Sequence, residues 1–463
     1  METLPNSTRK PGSYLGFDTS RAQSNLPANA QRVLIMAQRL AAGTVAALQP
    51  TGIFSDKEAA TYFGKGSPAH LMAAIAIKNN PLLDLTVIAL DDAVGSAAAT
   101  GTFTVTGPAT GAGTLTAWIG NKKIEFAIAK DDTDTEISAA LRAAILALDH
   151  QLPVSSAVAL GVVTCTSKAK GPFGNGIKLA ASCTAPGVAV AVAAMAGGLV
   201  APDITNALAA VYSVRYHLIV SQFTDAANLI LLRDHVEEVS GKIEQRGSRA
   251  YYGMIGAMGT ATTQAGTLNS GRTRLPLLRG SYSHECEVAA AFVGYRAAIE
   301  DPSMPLNGAV LKGLHVPPFA DRLSRAEQES CLHNGVTPLE VGPGDRIQVV
   351  RAVTNYLVDG EGIADDALLD ESAIDTLDYV RDVIRAIPKP AKITARTLSR
   401  LWDLYYAALK RLEAAEILVD IDLYKHRLIV EKDASQVGWV HAVIPAPVVP
   451  GLHVLDGTIE LYI

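Results

Sequence analysis

Two apolar runs, 32–37 (RVLIMA) and 84–90 (DLTVIAL), are continuous, as in strands buried on both faces. Between them, 56–63 and 67–79 read as helices. In the second, Leu71, Ala74, Ile75 and Lys78 fall at helical spacing, and Ser67-Pro68 supplies an N-cap with proline at the first helical position. Strand, helix, strand predicts a βαβ unit and a parallel sheet.

The pattern changes over 93–200, which is rich in Gly, Ala and Thr and poor in charge. Short alternating segments predict strands at 103–105, 113–119, 123–128, 162–166, 177–181 and 188–192. One helix, 135–148, presents Ile137, Leu141, Ala144, Ile145 and Leu148 on one face. Turn chemistry at Gly120-Asn121 and at 171–176 fits a β-rich module inserted into the α/β body.

The earlier alternation resumes at Pro202. Helices are predicted at 203–211, 226–242, 285–300 and 324–333, and strands at 216–221, 249–258, 275–278, 337–341 and 346–357. The helix 370–387 has Asp370, Glu371 and Asp375 at its start and Arg381 and Arg385 at its end, as the helix dipole favours. In the helix 394–418, Leu398, Leu401, Trp402, Tyr405, Leu409 and Leu412 form one stripe. Arg396, Arg400, Lys410 and Arg411 lie off it, as a solvated face or a contact with a charged partner. Segments 419–423 and 427–431 are expected to pair as a hairpin.

Both ends are unlike the body. Residues 1–30 are polar, with Pro5, Pro11 and Pro27; Tyr14, Leu15 and Phe17 are the cluster able to pack. At the other end, a strand at 437–444 is followed by Pro445, Pro447 and Pro450, which fix φ and lack an N–H. Leu455, Ile459, Leu461 and Ile463 then alternate with Asp456, Thr458 and Glu460. A one-faced strand on a stiff spacer needs a sheet, either its own or another chain's edge.

A chain of 463 residues predicts two or three domains, and 49% hydrophobic with 19% charged residues gives ample core. The net charge of −6, without a basic cluster interleaved with aromatics, argues against nucleic acid. The N-terminal stretch lacks the apolar region of a secretory signal. The cysteines Cys165, Cys183, Cys286 and Cys331 form no C-x-x-C pair and fit a reducing cytoplasm. Cys165 and Cys183 are candidates to face each other across a hairpin, with buried thiols the preferred reading. The uncharged run 183–202 carries Pro186, Gly187, Gly197 and Gly198 and alternates Val with Ala, a strand pattern rather than a membrane span.

Motifs for chemistry fail one by one. The turn after 32–37, QRLAAGT, holds one glycine and no G-x-G-x-x-G. Gly64-Lys65 and Gly241-Lys242 lack the phosphate-loop spacing. His284-Glu285 opens like a zinc helix, but Val288 stands where the second histidine belongs. No G-x-S-x-G elbow exists, and the acidic stretch 359–366 has the wrong spacing for calcium. No nucleophile, base and orienter assemble. The expectation is an α/β (α+β) body with a mixed sheet, an inserted β-rich domain and extended N- and C-terminal arms: a structural assembly protein, with no cofactor and no metal, rather than an enzyme.

Four co-linear stretches carry a resemblance: PGSYLGFDTSRA with QRVLIMAQRLAAGT, DKEAATYFGKGSPAHLMAAIAIKNNP, RIQVVRAVTNYLVDGEGIADDA and HVLDGTIELYI. Together they resemble the tail sheath proteins of contractile-tailed bacteriophages of the Mu-like type, over nearly the whole chain. The resemblance implies a subunit that polymerises as helically stacked hexameric rings around a tail tube. Contraction then drives the tube through the host envelope for genome ejection. Implied partners are further copies of itself, the tail tube protein, and baseplate and tail terminator proteins, with no nucleic acid and no membrane insertion. The place implied is the virion tail, assembled in the host cytoplasm. Residues 1–30 would be an N-terminal arm, 31–92 with 201–444 a discontinuous body, 93–200 an outer inserted domain, and 445–463 a donor-strand arm. Residues 345–444 would be the inner, tube-facing part. The arms would contribute Tyr14, Leu15, Phe17, Leu452, Val454, Leu455, Ile459, Leu461 and Ile463 to interfaces, swivelling at the proline spacers. The hairpin residues Val419, Ile421, Leu423, Leu428 and Val430 would accept a strand, and Arg396, Arg400, Lys410 and Arg411 would meet the tube. A tailocin-like particle's sheath is the alternative within this class, and a soluble α/β enzyme the alternative outside it.

Overall fold

The computed structural model describes residues 26–461. The chain opens with strands β1 (Arg32–Gln38) and β2 (Thr51–Ile53), helices α1 (Asp56–Phe63) and α2 (Pro68–Asn79), and strand β3 (Asp84–Leu90). β1 and β3 pair in parallel from Arg32 opposite Asp84 to Gln38 opposite Leu90. Ser67 caps α2 by accepting from the His70 N–H, with Pro68 at the first position.

Residues 100–196 contribute no strand to that sheet. They form β4 (Thr100–Thr106), β5 (Gly113–Ile119), β6 (Lys122–Ile128), α3 (Asp134–Ala147), β7 (Val154–Ala159), β8 (Val162–Ser167), β9 (Leu179–Cys183) and β10 (Ala189–Ala196). These make two antiparallel sheets, ordered β10-β4-β8-β7 and β6-β5-β9. Helix α3 buries Ile137, Leu141 and Ile145, and a Thr133–Glu136 capping box starts it. β7 was not expected, because its Ser and Ala side chains are too small to mark an apolar face. Cys165 lies on β8 and Cys183 on β9, in different sheets, so they do not face each other across a hairpin. Burial pushes the Cys165 thiol up to about 12.

The chain continues through α4 (Thr205–Val211), β11 (Leu218–Ser221), α5 (Ala226–Ser240), β12 (Arg249–Tyr251), α6 (Met258–Leu268), β13 (Thr273–Arg274), β14 (Pro276–Leu277), α7 (Glu285–Ala297), β15 (Val310–Leu311), α8 (Arg325–His333), β16 (Thr337–Gly342) and β17 (Arg346–Val349). The main sheet is six-stranded, ordered β13-β12-β11-β1-β3-β2, with β2 antiparallel. Its faces follow the strand period of two. Val33, Ile35 and Ala37 pack with residues of α2 and α7, while Leu34 and Met36 pack with α4 and α5. The first of these cores continues into the inserted sheets through Phe103, Leu115 and Val163. A second sheet is ordered β14-β16-β17-β15.

Two expected strands are shorter than predicted. The run 249–258 is a strand only to Tyr251; Met254 makes an isolated bridge to Leu277, and α6 begins at Met258. The run 346–357 stops at Val349; beyond it Thr354 and Asn355 are held by side-chain hydrogen bonds, including Asn355 Nδ2 to Gly335 O at 2.6 Å.

Helix α9 (Glu371–Arg385) leads to α10 (Ala395–Ala414), α11 (Ile421–Tyr424), β18 (Ile429–Lys432) and β19 (Val440–Val443). Tertiary contacts divide the described chain into two compact units, 30–378 with 448–461, and 26–29 with 379–447. The second has its own core of Tyr379, Val383, Leu401, Tyr405, Leu409 and Leu412, against which Leu26 packs. The expected 419–423/427–431 hairpin does not form. Asp420 takes a left-handed φ of 52° and turns the chain into α11, whose Ile421 is fully buried. The second half survives as β18 and pairs with β19 instead, Ile429 opposite Val443. Among the described residues no helix is long and apolar enough to cross a membrane.

Candidate functional site

Five charged side chains gather in the interior. Arg249 on β12, Arg274 on β13 and Arg296 on α7 converge on Glu371 and Asp375, all at most 3% exposed. The two acids are four residues apart on α9 and so share one helix face. Asp375 pairs with Arg249, and it accepts from Arg296 Nε at 2.9 Å. Arg274 Nε lies 3.7 Å from Glu371 Oε1, which also accepts from the Tyr251 hydroxyl. Next to them Arg272 grips Asp378 with two bonds, of 2.8 and 3.0 Å. Burial pushes the Asp375 carboxyl up, but the guanidiniums of Arg249, Arg296 and Arg274 outweigh it and hold it below the usual range. Burial, with Asp375 as a like charge, keeps Glu371 above it. The cluster holds the first turns of α9 against the sheet. Sequence reading assigned Glu371 and Asp375 to the helix dipole and missed it; their spacing was the only local signal.

Open α/β sheets hold ligands outside the carboxyl ends of their strands, where the strand order reverses. Here that place lies between β1 and β11, under a cleft of about 410 Å3. Gln38 and Gln222 bridge it: the Gln38 N–H donates to Gln222 Oε1 at 2.6 Å, and Gln222 Nε2 donates to Gln38 Oε1 at 2.7 Å. Gln38 Nε2 also donates to Lys170 O and Asp92 Oδ1, both at 2.8 Å. At the rim, His284 stacks on Phe173 with ring centres 4.1 Å apart, and burial pushes its pKa down to about 4. The polar groups at this mouth are engaged with one another rather than aimed at a common point. Among the described residues no group of His, Cys, Asp and Glu is placed to hold a metal.

The remaining candidates are surfaces. In the C-terminal arm, Leu452, Val454, Leu455, Ile459 and Leu461 are 74–99% exposed, and 448–461 contains no strand. Ile463 and the N-terminal Tyr14, Leu15 and Phe17 lie outside the described residues. The β18–β19 ribbon is a sheet of two strands with exposed Ile429, Val440 and Val443; among the described residues neither outer edge carries another strand. Of the acceptor residues expected from sequence, Ile421 and Leu428 are buried in their own unit's core, Val419 and Val430 are half-buried, and Leu423 is 63% exposed. On α10, Arg396 and Arg400 are exposed, one turn apart. Lys410 is bound to Glu413 and, at 3.0 Å, to Asp422, and Arg411 is half-buried.

Comparison with known proteins agrees with the resemblance read from the sequence. Residues 197–355 match the central domain of the phage tail sheath protein family. The chain is 28% identical to the Mu-like prophage FluMu tail sheath protein of Haemophilus influenzae, over 94% of this chain and 93% of that one. Its fold is similar to the sheath tail protein of Desulfitobacterium hafniense, with a TM-score of 0.51 at 14% identity, over 91% of this chain and 93% of that one. It is also similar to a chain of the contracted helical sheath of the anti-feeding prophage, with a TM-score of 0.51 at 12% identity, over 98% and 99% of the two chains.

Proposed function

We propose that this chain is a contractile tail sheath protein, whose subunits stack as hexameric rings around a tail tube and drive the tube through the host envelope by contracting. The reading is carried by one observation: an apolar, period-two C-terminal segment that stands exposed on its own subunit. A second copy would supply what it needs, the two-stranded β18–β19 ribbon, whose edges carry no further strand among the described residues. The donor strand would be 455–461, with the N-terminal arm of another subunit alongside. About five ladder hydrogen bonds, at roughly 0.5–1.5 kcal/mol net each, would join neighbours through their backbones. Such a link survives rigid-body rotation of the subunits. Because donor and acceptor are different surfaces, the contact is heterologous and extends without closing on a pair.

The finer assignments follow from this reading. Residues 93–200 are the outer module of the subunit and 345–444 its tube-facing part. Partners are the tube protein, the baseplate and the tail terminator. The chain is assembled in the host cytoplasm into the virion, works without a cofactor, and is not an enzyme. The sheath of a tailocin-like contractile particle would use the same subunit chemistry. Electron microscopy of the purified protein tests the proposal. Rings or tubes are expected; a small closed oligomer would overturn it and return the soluble-enzyme reading.

A further inference from the structure

We propose that His453 latches the root of the C-terminal arm onto its own subunit, so that the arm pivots beyond residue 453 and not at its prolines. The root is seated by several contacts at once. His453 Nδ1 lies 2.9 Å from Asn307 Nδ2, which also donates to Leu452 O at 3.2 Å. On its other side, His453 Nε2 is 3.4 Å from Asp370 Oδ2. Asp370 is itself fixed by Arg351 through two bonds of 2.9 Å. Gly451 makes the approach possible: a Cβ there would meet the His453 ring at 2.9 Å and Pro305 at 3.2 Å. About 10 Å3 of space remains beneath the seat, too little for another side chain.

Position along the chain gives the contact its consequence. Upstream, Pro447 O accepts from the Val419 N–H at 3.0 Å, so the proline stretch is held at its start as well. Downstream, exposure changes within two residues: the His453 side chain is 16% exposed, whereas Leu455 is 86% and Ile459 99% exposed. Pro445, Pro447 and Pro450 all lie before the seat, so no bond beside them lies in the free end. The first free bonds follow the histidine. The latch rests on the donor-arm reading only for what the free end reaches; its seat belongs to the single chain.

Spin labelling of the full chain, unassembled and in a Cys183→Ser background, tests the latch. A nitroxide is placed at exposed position 454 in one sample and 459 in another. The label at 454 is expected to move several-fold more slowly than that at 459. His453→Ala or Asn307→Ala should bring 454 to the mobility of 459, while His441→Ala, on β19, leaves it unchanged. Equal mobility at 454 and 459 in the parent chain, or a label at 454 indifferent to both variants, would overturn the latch. Failure of the sheath reading would appear separately, as unlabelled protein that builds no tubes.

Discussion

At the scale of residues, the decisive feature is charge removed from water. A buried ion group is strongly sensitive to loss of one member, because the others remain desolvated. Asp375→Asn leaves Arg249 and Arg296 without their main counter-charge. The expected cost is about 3–5 kcal/mol, read as a lowered midpoint of denaturant unfolding. A second prediction concerns acid. His235 on α5 is buried beside the edge of the Tyr212 ring, and burial, with help from Arg246 and against Glu238, pushes its pKa from 6.5 down to about 4. The folded state therefore binds this proton less readily than the unfolded state. Its contribution is fully present above pH 6.5 and is lost as pH falls toward 4. Relative to His235→Phe, the native chain should lose stability over that window; parallel unfolding curves at pH 7 and 5 would check it. None of this was legible in the sequence. Arg249, Arg274 and Arg296 sit on three elements far apart along the chain, and no local pattern joins them to α9.

At the scale of elements, periodicity was a good guide where side chains were large. β1, β3, α2, α3 and α10 stand where the pattern put them. α6 was missed because Ala261, Ala265 and Leu268 carry its buried face, while Gly and Thr, poor helix formers, fill much of the rest. Gly266 is exposed within that helix, and a Cβ there meets nothing nearer than 3.9 Å. Gly266→Ala should therefore stabilise the protein by about 0.5–1 kcal/mol, seen as a raised melting temperature. The α11 segment misled for a different reason. Its alternation of Val419, Ile421 and Leu423 is real, but a core pocket for Ile421 and the bond from its N–H to Glu413 Oε1 at 2.9 Å favour a helical turn. For a tube contact on α10, side-chain pairing decides which residues to test. Lys410 is already paired, so the exposed Arg396 and Arg400 are the residues to reverse. Changing both to Glu should weaken co-sedimentation with the tube several-fold, with the difference shrinking as salt rises.

At the scale of the whole molecule, the mixed α/β body and the interruption of its parallel sheet after β3 were both readable, because composition shifts when the chain leaves the sheet and again when it returns. The intimacy of that interruption was not readable. Phe173 stacks on His284, and Asn121 Nδ2 donates to Glu287 Oε1 at 3.1 Å, so the 93–200 segment shares groups with α7 that no periodicity announces. The C-terminal end makes the opposite case: its alternation is plain in sequence, but 455–461 joins no sheet among the described residues. Deleting 455–463 should leave the melting temperature of the subunit within about a degree, since the named apolar side chains there are exposed, while abolishing tubes in electron micrographs. Unfolding of the truncated chain, or tubes built without those residues, would rule out a donated strand.

The seat at His453 also sets a length. Leu455, where the proposed strand begins, lies two residues beyond it. Fully extended, that stretch spans about 7 Å. On the donor-strand reading, the ribbon that receives Leu455 would have to stay within about that reach of the seat, before and after any rearrangement. The stretch between seat and strand would thus be a leash: it would permit neighbouring subunits to tilt and turn but cap how far they part, so that a lattice of such chains would stay one continuous mesh as it moved.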